Sequence, residues 1–173
     1  MPIRRAAPAD VPALVALERR AFDPRLYAPM SPARFRANGG SPTCEAFVFV
    51  EDDDPARVLG YSLGLRRRGA GWLRFYSLAV DASAKGRGIG EALFRHFEDN
   101  ARALGLSTVL LEIREDNAFL RARYEGYGYT TYRRVEAYYP DGCACLKMRR
   151  ALNGRDGKVQ PPARRIRAHR PSQ

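Results

Sequence analysis

Three glycines stand at alternate positions, Gly86, Gly88 and Gly90, directly before a helix-like run in the stretch "AKGRGIGEALFRHF". Glycine has no Cβ to block a close approach, and it tolerates positive φ. A helix N-terminus presents unpaired N–H groups and a partial positive charge. Lys85 and Arg87 add cationic side chains between the glycines. This combination predicts a site where backbone closes on a phosphate, with an ordinary tight turn as the simpler interpretation.

Two common phosphate-binding patterns do not fit these glycines. The Walker pattern requires Lys and then Ser or Thr after its last glycine, whereas Glu91 follows Gly90. The dinucleotide pattern G-x-G-x-x-G fails in both registers, because its last glycine would fall on Glu91 or on Leu93. Glu112 imitates a ribose-binding acid about 20 residues on, but only one βαβ unit fits in the chain. The acyl-CoA-binding pattern R/Q-x-x-G-x-G/A does fit "KGRGIG", with Lys85 where Gln or Arg is usual.

Hydrophobic spacing predicts the elements that precede this loop. A short strand at "PIRRA" comes before two helices, one in "PADVPALVALERRAF" and one in "SPARFRAN". Three strands follow at about 46–51, 57–66 and 71–80. Because their connections are short, they favour an antiparallel meander.

The second half of the chain alternates helices and strands. "GIGEALFRHFEDNARAL" places its apolar residues on one helical face, and "STVLLEIRE" is the near-continuous apolar run of a strand covered on both faces. "NAFLRARYEGYG" predicts a further helix, and "YTTYRRVEAYY" and "CACLKMRRAL" predict a final pair of strands. The order β-α-α-β-β-β-α-β-α-β-β predicts an α/β (α+β) fold, with a mixed, mostly antiparallel central sheet and helices on both faces.

Residues 76–140 resemble the GCN5-related N-acetyltransferases (GNAT), and among them the bacterial ribosomal-protein alanine N-acetyltransferases. The resemblance joins the glycine loop to "LEIREDNA", to Tyr124 seven residues after Asn117, and to "GYGY". It implies a single N-acetyltransferase domain over residues 1–153, and a sheet splayed between its fourth and fifth strands. It also implies acetyl-CoA as co-substrate.

The same resemblance implies how acetyl-CoA is bound. The splayed strand pairs with pantetheine through its backbone, with an N–H near Val80 facing the carbonyl, and the glycine loop holds the pyrophosphate. Asn117 binds the cofactor or holds the start of its helix. The implied cofactor-binding residues are Leu78, Ala79, Val80, Lys85, Gly86, Arg87, Gly88, Ile89, Gly90, Glu91 and Asn117.

Glu112 and Tyr124 are implied to be the catalytic pair. Glu112 would take a proton from the amine, directly or through water, and Tyr124 would protonate the departing thiolate. The simpler interpretations are a strand-end carboxylate and a packing aromatic. Tyr138 and Tyr139 are implied to line the acceptor channel, with Phe22 and the "DPRLYAPM" loop as candidate walls on the other side. Ordinary packing is the simpler interpretation of the paired tyrosines. We expect the acceptor to be a protein N-terminal α-amino group, with a lysine side chain or a small amine as the alternative.

The net charge of +11 is unevenly distributed, because the segment 154–173 contributes +5 of it. This segment has no apolar periodicity, which predicts a disordered basic tail. The tail either contacts RNA or the ribosome weakly or has no partner. A nucleic-acid-associated acyl-CoA-binding protein and a catalytically silent acyl-CoA sensor are the alternatives of a different class, although no fingerprint of a recognition helix or an aromatic RNA-binding strand is found.

Apolar runs and cysteines indicate the compartment. No apolar run approaches the ~20 residues that span a bilayer, and the N-terminal stretch lacks a secretory signal, so we expect a cytoplasmic protein without membrane contact. Three cysteines without a paired framework predict reduced thiols. With two histidines in unrelated contexts, they predict no metal site. We expect a monomer or a homodimer.

Overall fold

The computed structural model describes residues 2–28, 30–39 and 41–152. The predicted tail over 154–173 lies outside them. Within these residues, strands and α-helices follow each other in the predicted order. The elements are β1 (Ile3–Arg5), α1 (Val11–Ala21), α2 (Pro32–Gly39), β2 (Cys44–Val50), β3 (Val58–Arg66), β4 (Trp72–Val80), α3 (Ile89–Ala103), β5 (Thr108–Arg114), α4 (Ala118–Gly126), β6 (Thr130–Val135) and β7 (Cys145–Ala151).

All strands join one sheet in the order β1-β2-β3-β4-β5-β7-β6. The pair β4–β5 is parallel and is connected through α3, and the other neighbours are antiparallel. This arrangement confirms the mixed, mostly antiparallel sheet and the single βαβ unit. It also places the glycine loop at the turn between β4 and α3.

The strands β4 and β5 diverge after a short paired stretch. Their pairing covers residues 72–74 with residues 108–110 and ends at Arg74 and Leu110. On its other edge, β4 carries a bulge at Tyr76, because Leu63 pairs with Ser77 and Gly64 pairs with Phe75. A bulge bends its strand and increases the local twist. We attribute the splay to this bend.

The sheet separates two apolar cores. One core packs α3 and α4 against the sheet and contains Phe94, Phe97 and Tyr124. The other core packs α1 and α2 against the opposite face. Gly64 is required in the first core, because a Cβ there would lie 2.3 Å from the buried ring of Phe97. Apolar burial on both faces is the main source of stability.

The prediction for the last hairpin was wrong in its length. The strand predicted over "YTTYRRVEAYY" ends at Val135, so Tyr138 and Tyr139 lie in the β6–β7 loop. Ala137 has a φ of 46°, which is incompatible with an extended strand. The two tyrosines therefore belong to a loop that turns back toward the sheet.

Candidate active site

The three glycines of the loop differ in backbone conformation: Gly86 and Gly88 have positive φ, whereas Gly90 does not. Gly86 and Gly88 have φ values of 81° and 73°, which favour glycine. Gly88 is the N-cap of α3 and offers no side chain to the first N–H groups of the helix. A Cβ at Gly90 would meet only ordinary contacts, at 3.6 Å from Val80 and 3.7 Å from Leu78. The loop thus presents backbone N–H groups at a helix start, as an anion site requires.

The side chains of this loop are mostly engaged elsewhere. Arg87 forms an ion pair of 2.8 Å with Glu51 and thereby lowers the pKa of that carboxyl. Glu91 pairs with Arg95 one turn along α3. The side chain of Ile89 is buried in the core, whereas Lys85 is exposed. Backbone is therefore the main surface that the loop offers to a ligand.

The end of β4 also offers backbone rather than side chains. Leu78 and Ala79 are buried in the two cores, and Val80 packs against the core on the α3 side. On one edge these residues pair with β3, whereas the pairing with β5 has already ended at Arg74. The second edge faces the gap between β4 and β5. An extended ligand can add to that edge as a further strand does.

Tyr124 lies in α4, on the α3 side of the sheet. Its ring is fully buried and packs 5.4 Å from Phe94 and 5.7 Å from Tyr129, measured between ring centroids. Among the described residues its hydroxyl has no hydrogen-bond partner. Burial raises the pKa of Tyr124 further above its ordinary value, which already leaves the phenol protonated at neutral pH. Asn117 accepts a hydrogen bond from the Leu120 N–H at 3.0 Å, and so its side chain holds the start of α4.

Glu112 lies on the opposite face of the sheet. Its neighbours in β5, Leu111 and Ile113, point into the core that contains Tyr124, and alternation turns Glu112 away from it. The carboxylate is buried and binds two cations, Arg74 and Lys147, the latter at 3.1 Å. The hydroxyl of Tyr138 also donates to it. Glu112 is thus an oriented carboxylate, two residues beyond the last β4–β5 pair.

The predicted acceptor residues come together through Tyr27, which lies in the "DPRLYAPM" loop predicted as a wall of the channel. Tyr27 packs edge-on against Phe22, with centroids 5.5 Å apart, and against Tyr139, at 5.9 Å. Tyr139 in turn packs on Tyr138 at 5.3 Å. Phe22 and Tyr139 are buried, and only Tyr138 keeps partial exposure. Burial, and then its bond to Glu112, raise the pKa of Tyr138.

The sequence is similar to that of a known enzyme family. Residues 11–129 match the model of the acetyltransferase (GNAT) family. An uncharacterised N-acetyltransferase of Methanocaldococcus jannaschii is 32% identical over 143 residues, which cover 82% of this chain and 86% of that protein. The chain belongs to the GNAT acetyltransferase family. This confirms the family that the glycine loop and its partners indicated.

Two solved GNAT structures show the same fold. The ribosomal-protein alanine N-acetyltransferase of Escherichia coli aligns with a TM-score of 0.76 and 24% identity, over 91% of this chain and 97% of that one. A local match to the same enzyme is 35% identical over 65 residues, 38% of this chain and 44% of that enzyme. NAA60 of Arabidopsis thaliana, in complex with acetyl-CoA, aligns with a TM-score of 0.74 and 15% identity, over 88% of this chain and 98% of that one.

Arg114 is a residue of this GNAT site that the sequence analysis did not assign. It is buried, it pairs with Asp116 and Asp141, and it donates to the Leu26 carbonyl at 3.3 Å. Its guanidinium also lies over the ring of Tyr139, 5.0 Å from the centroid. Arg114 therefore connects the α1–α2, β5–α4 and β6–β7 loops. It stands in the motif "LEIREDNA" together with Asp116, but Asp141 and Leu26 are distant in sequence, so spacing gives no signal for those two partners.

A second unassigned group of this GNAT chain is the buried carboxylate of Glu18 on α1. The hydroxyls of Tyr61 and Ser77 and the backbone N–H of Met30 donate to it, the last two at 3.1 Å each. Burial raises the pKa of Glu18. The carboxylate of Glu18 therefore connects the α1–α2 loop, through Met30, with β4, through Ser77. Ser77 directly precedes Leu78.

The positions of Arg74 and Lys147 beside Glu112 are consistent with a sequence pattern that the sequence analysis did not use. Arg74 alternates with buried residues along β4, and Lys147 does so along β7. Because direct neighbours in a sheet share a face, Lys147 opposite Glu112 could have been inferred once the strand register was known.

The remaining predictions concern metal, membrane and thiols. The portion of the chain that the structure describes contains no group of His, Cys, Asp and Glu suited to a metal ion. Within that portion, no helix combines the length and the apolar character of a membrane span. The described cysteines, Cys44, Cys143 and Cys145, are free thiols.

Proposed function

We propose that this GNAT protein transfers the acetyl group of acetyl-CoA directly to a protein N-terminal α-amino group, with Glu112 as general base and Tyr124 as general acid. The observation that carries the proposal is their placement on opposite faces of the sheet, with Glu112 two residues beyond the last β4–β5 pair. Such a placement lets the acyl donor and the amine approach from different sides.

The residues present fit acetyl-CoA, which supplies an acetyl group activated as a thioester. The backbone N–H groups from Gly86 to Glu91 suit the pyrophosphate, because they combine a helix N-terminus with positive-φ glycines. The unpaired edge of β4 over residues 78–80 suits the pantetheine amides. The exposed Lys85 supplies a positive charge near the phosphates.

The surroundings of Glu112 suit the deprotonation of an amine. The attacking amine must be neutral, and the positive charges of Arg74 and Lys147 disfavour an ammonium ion beside them. Glu112 then accepts the amine proton, directly or through a water molecule. The hydrogen bond from Tyr138 orients the carboxylate for this transfer.

Tyr124 suits the role of the acid. Its phenol is protonated at neutral pH, as any tyrosine is, and its hydroxyl has no acceptor among the described residues. It donates that proton to the sulfur as the C–S bond breaks and the C–N bond forms. The products are then an amide and a neutral thiol.

The choice of an N-terminus rests on two supports. The first is the local similarity to an enzyme that acetylates a ribosomal-protein alanine. The second is the row of rings from Phe22 to Tyr138 next to Glu112, whose edge-to-face packing forms a rigid wall. A lysine side chain or a small amine is the competing acceptor.

A three-acceptor assay tests the proposal. Acetyl-CoA is incubated with a peptide bearing a free N-terminal Ala, with an N-blocked peptide bearing one Lys, and with spermidine. Thiol release is followed together with the mass of each product. We expect the free N-terminus to be the preferred site and Glu112→Gln to lower kcat/KM about 10²–10⁴-fold.

The matched control is Glu115→Gln, which removes a carboxylate paired with Arg134 at the surface. Faster acetylation of the Lys peptide or of spermidine would show that the proposed acceptor is wrong. An effect of Glu112→Gln no larger than that of the control would show that Glu112 is not the base.

A further inference from the structure

Beyond Glu112, one sheet face carries two further cations, Arg133 and Arg149, that the proposed chemistry does not use. The registers place Lys147 opposite Glu112, Arg149 opposite Leu110 and Arg133 opposite Lys147. Direct neighbours in a sheet share a face, so these side chains project together. We define the cationic face as the cations Arg74, Arg133, Lys147 and Arg149 with the uncharged side chains Trp72, Thr108, Leu110 and Tyr132.

The helices leave this face open in the described chain. The helices α1 and α2 pack on strands β2 to β4, and α3 packs on the other side of the sheet. An open depression of about 750 Å³ is lined by Trp72, Thr108, Leu110, Tyr132 and Arg149, among others. The ring of Tyr132 is 44% exposed, which is unusual for a large aromatic side chain.

The charges of the face are not balanced within the described residues. Arg74 and Lys147 share the single carboxylate of Glu112. Arg149 lies over the ring of Tyr132, 5.6 Å from the centroid, and neither Arg149 nor Arg133 has a carboxylate partner in the described part of the chain. Four cations thus face one acid, which favours a negatively charged occupant.

The face is continuous with the place of the chemistry. It begins at Glu112 and runs back along β5 past Leu110 to Thr108. From Glu112 to Thr108 the strand rises about 13 Å, a distance that about four residues of an extended bound peptide can cover. Arg149 lies opposite Leu110, and Arg133 lies level with Glu112 two strands across, at about 10 Å. A polypeptide that leaves Glu112 obliquely over β7 therefore brings its third to fifth residues near both cations.

We propose that the cationic face binds an acidic segment that follows the amino terminus of the acceptor polypeptide. This inference rests on the proposed function and adds to it a substrate class, N-termini with Asp or Glu at about positions 3–5. The basic segment 154–173 is disfavoured as occupant by its like charge. RNA is disfavoured because only two cations of the face lack a carboxylate, whereas an RNA site neutralises a longer run of phosphates.

Two peptides test the inference. They share the first two residues and carry either three Glu or three Gln at positions 3–5. We expect kcat/KM for the Glu peptide to exceed that for the Gln peptide about tenfold in low salt, and the ratio to fall toward one at high salt. We expect Arg133→Gln/Arg149→Gln to bring the ratio close to one.

The matched control is Arg95→Gln/Arg121→Gln, which removes two exposed positive charges from α3 and α4 on the other side of the sheet. This control keeps the wild-type ratio if the face is responsible. A wild-type ratio of one, or equal losses in both double variants, would overturn the inference.

Binding separates this inference from the proposed function. The anisotropy of the Glu peptide, labelled at its C-terminus, is measured without acetyl-CoA. If neither peptide is acetylated but the Glu peptide binds through Arg133 and Arg149, the proposed function fails and the face is confirmed. If a single-stranded RNA displaces the Glu peptide and binds more tightly through the same two residues, the face is an RNA surface and the inference is wrong.

Discussion

Arg114 and Asp141 are joined by two hydrogen bonds across 27 residues of sequence, from Nη1 to Oδ1 at 2.9 Å and from Nη2 to Oδ2 at 2.7 Å. The guanidinium is 5% exposed and holds the pKa of Asp141 at about 2. The pair ties the β6–β7 loop to the end of β5, two residues beyond Glu112. It therefore positions Tyr138 and Tyr139 beside the proposed base.

Arg114→Lys tests this relationship. Lysine is a point charge and cannot reproduce the fork of two parallel bonds. We expect the free energy of unfolding to fall by about 1–3 kcal/mol. We also expect the acceptor KM to rise more than kcat falls, because the loops shift while the chemical groups remain. Chemical denaturation and kinetics at saturating acetyl-CoA measure both effects.

Arg134→Lys is the control for Arg114→Lys. Arg134 also makes a forked contact, with Glu115, but at the surface, where such pairs contribute about 0–1 kcal/mol. Equal effects of the two substitutions would contradict the assigned role of Arg114.

Tyr124→Phe separates activity from stability. The buried hydroxyl has no hydrogen-bond partner in the described chain, so its removal relieves an unsatisfied group, and we expect stability to be kept or raised. We expect kcat to fall about 10²-fold or more, because the acid is lost. Tyr127→Phe is the control, since its ring belongs to the same cluster and its hydroxyl accepts from Arg123. A kcat loss of the same size in both variants would remove Tyr124 from the mechanism.

The glycine loop predicts a contrast between two alanine substitutions. Gly88→Ala must place a side chain at a φ of 73°, which is strained, at the start of α3. We expect the Kd for acetyl-CoA to rise at least tenfold. Gly90→Ala is expected to change it less than threefold, because its Cβ fits at 3.6 Å from Val80. Calorimetric titration measures both, and the reverse order would show that the loop does not bind the cofactor through Gly88.

The buried carboxyl group of Glu18 is expected to make the free energy of unfolding depend on pH. Burial raises its pKa in the folded state above its ordinary value of 4.5, so the folded protein holds a proton that the unfolded chain has released. The contribution of Glu18 is therefore full below pH 4.5 and is lost as pH rises through the folded-state pKa. We expect the stability of the wild type relative to Glu18→Gln to fall as pH rises above 4.5, in urea titrations.

Glu51→Gln is the opposite-sign control for Glu18→Gln. Arg87 lowers the pKa of Glu51, so its contribution is present above pH 4.5 and is lost as pH falls. If the relative stability changes in the same direction with pH for both variants, the interpretation of Glu18 is wrong.

Local patterns predicted most of the fold. The meander of β2 to β4 followed from alternation and short turns, and α3 followed from its apolar stripe after the glycine loop. The end of β6 could not be predicted, because it depends on the φ of Ala137 rather than on composition. The other strand bounds differ from the predicted ones by at most two residues, as expected where propensity changes gradually.

The sequence by itself determined the order of the functional groups along the chain. A glycine loop precedes a helix, a carboxylate lies on the next strand, and a tyrosine lies on the next helix. These features are encoded by neighbours in the chain, and so spacing reveals them. Only the tertiary structure decided that Glu112 and Tyr124 lie on opposite faces, that Arg74 and Lys147 surround the carboxylate, and that Arg114 joins three loops. Those contacts depend on strand register, on the bulge in β4 and on loop packing, which bring together residues far apart in the sequence.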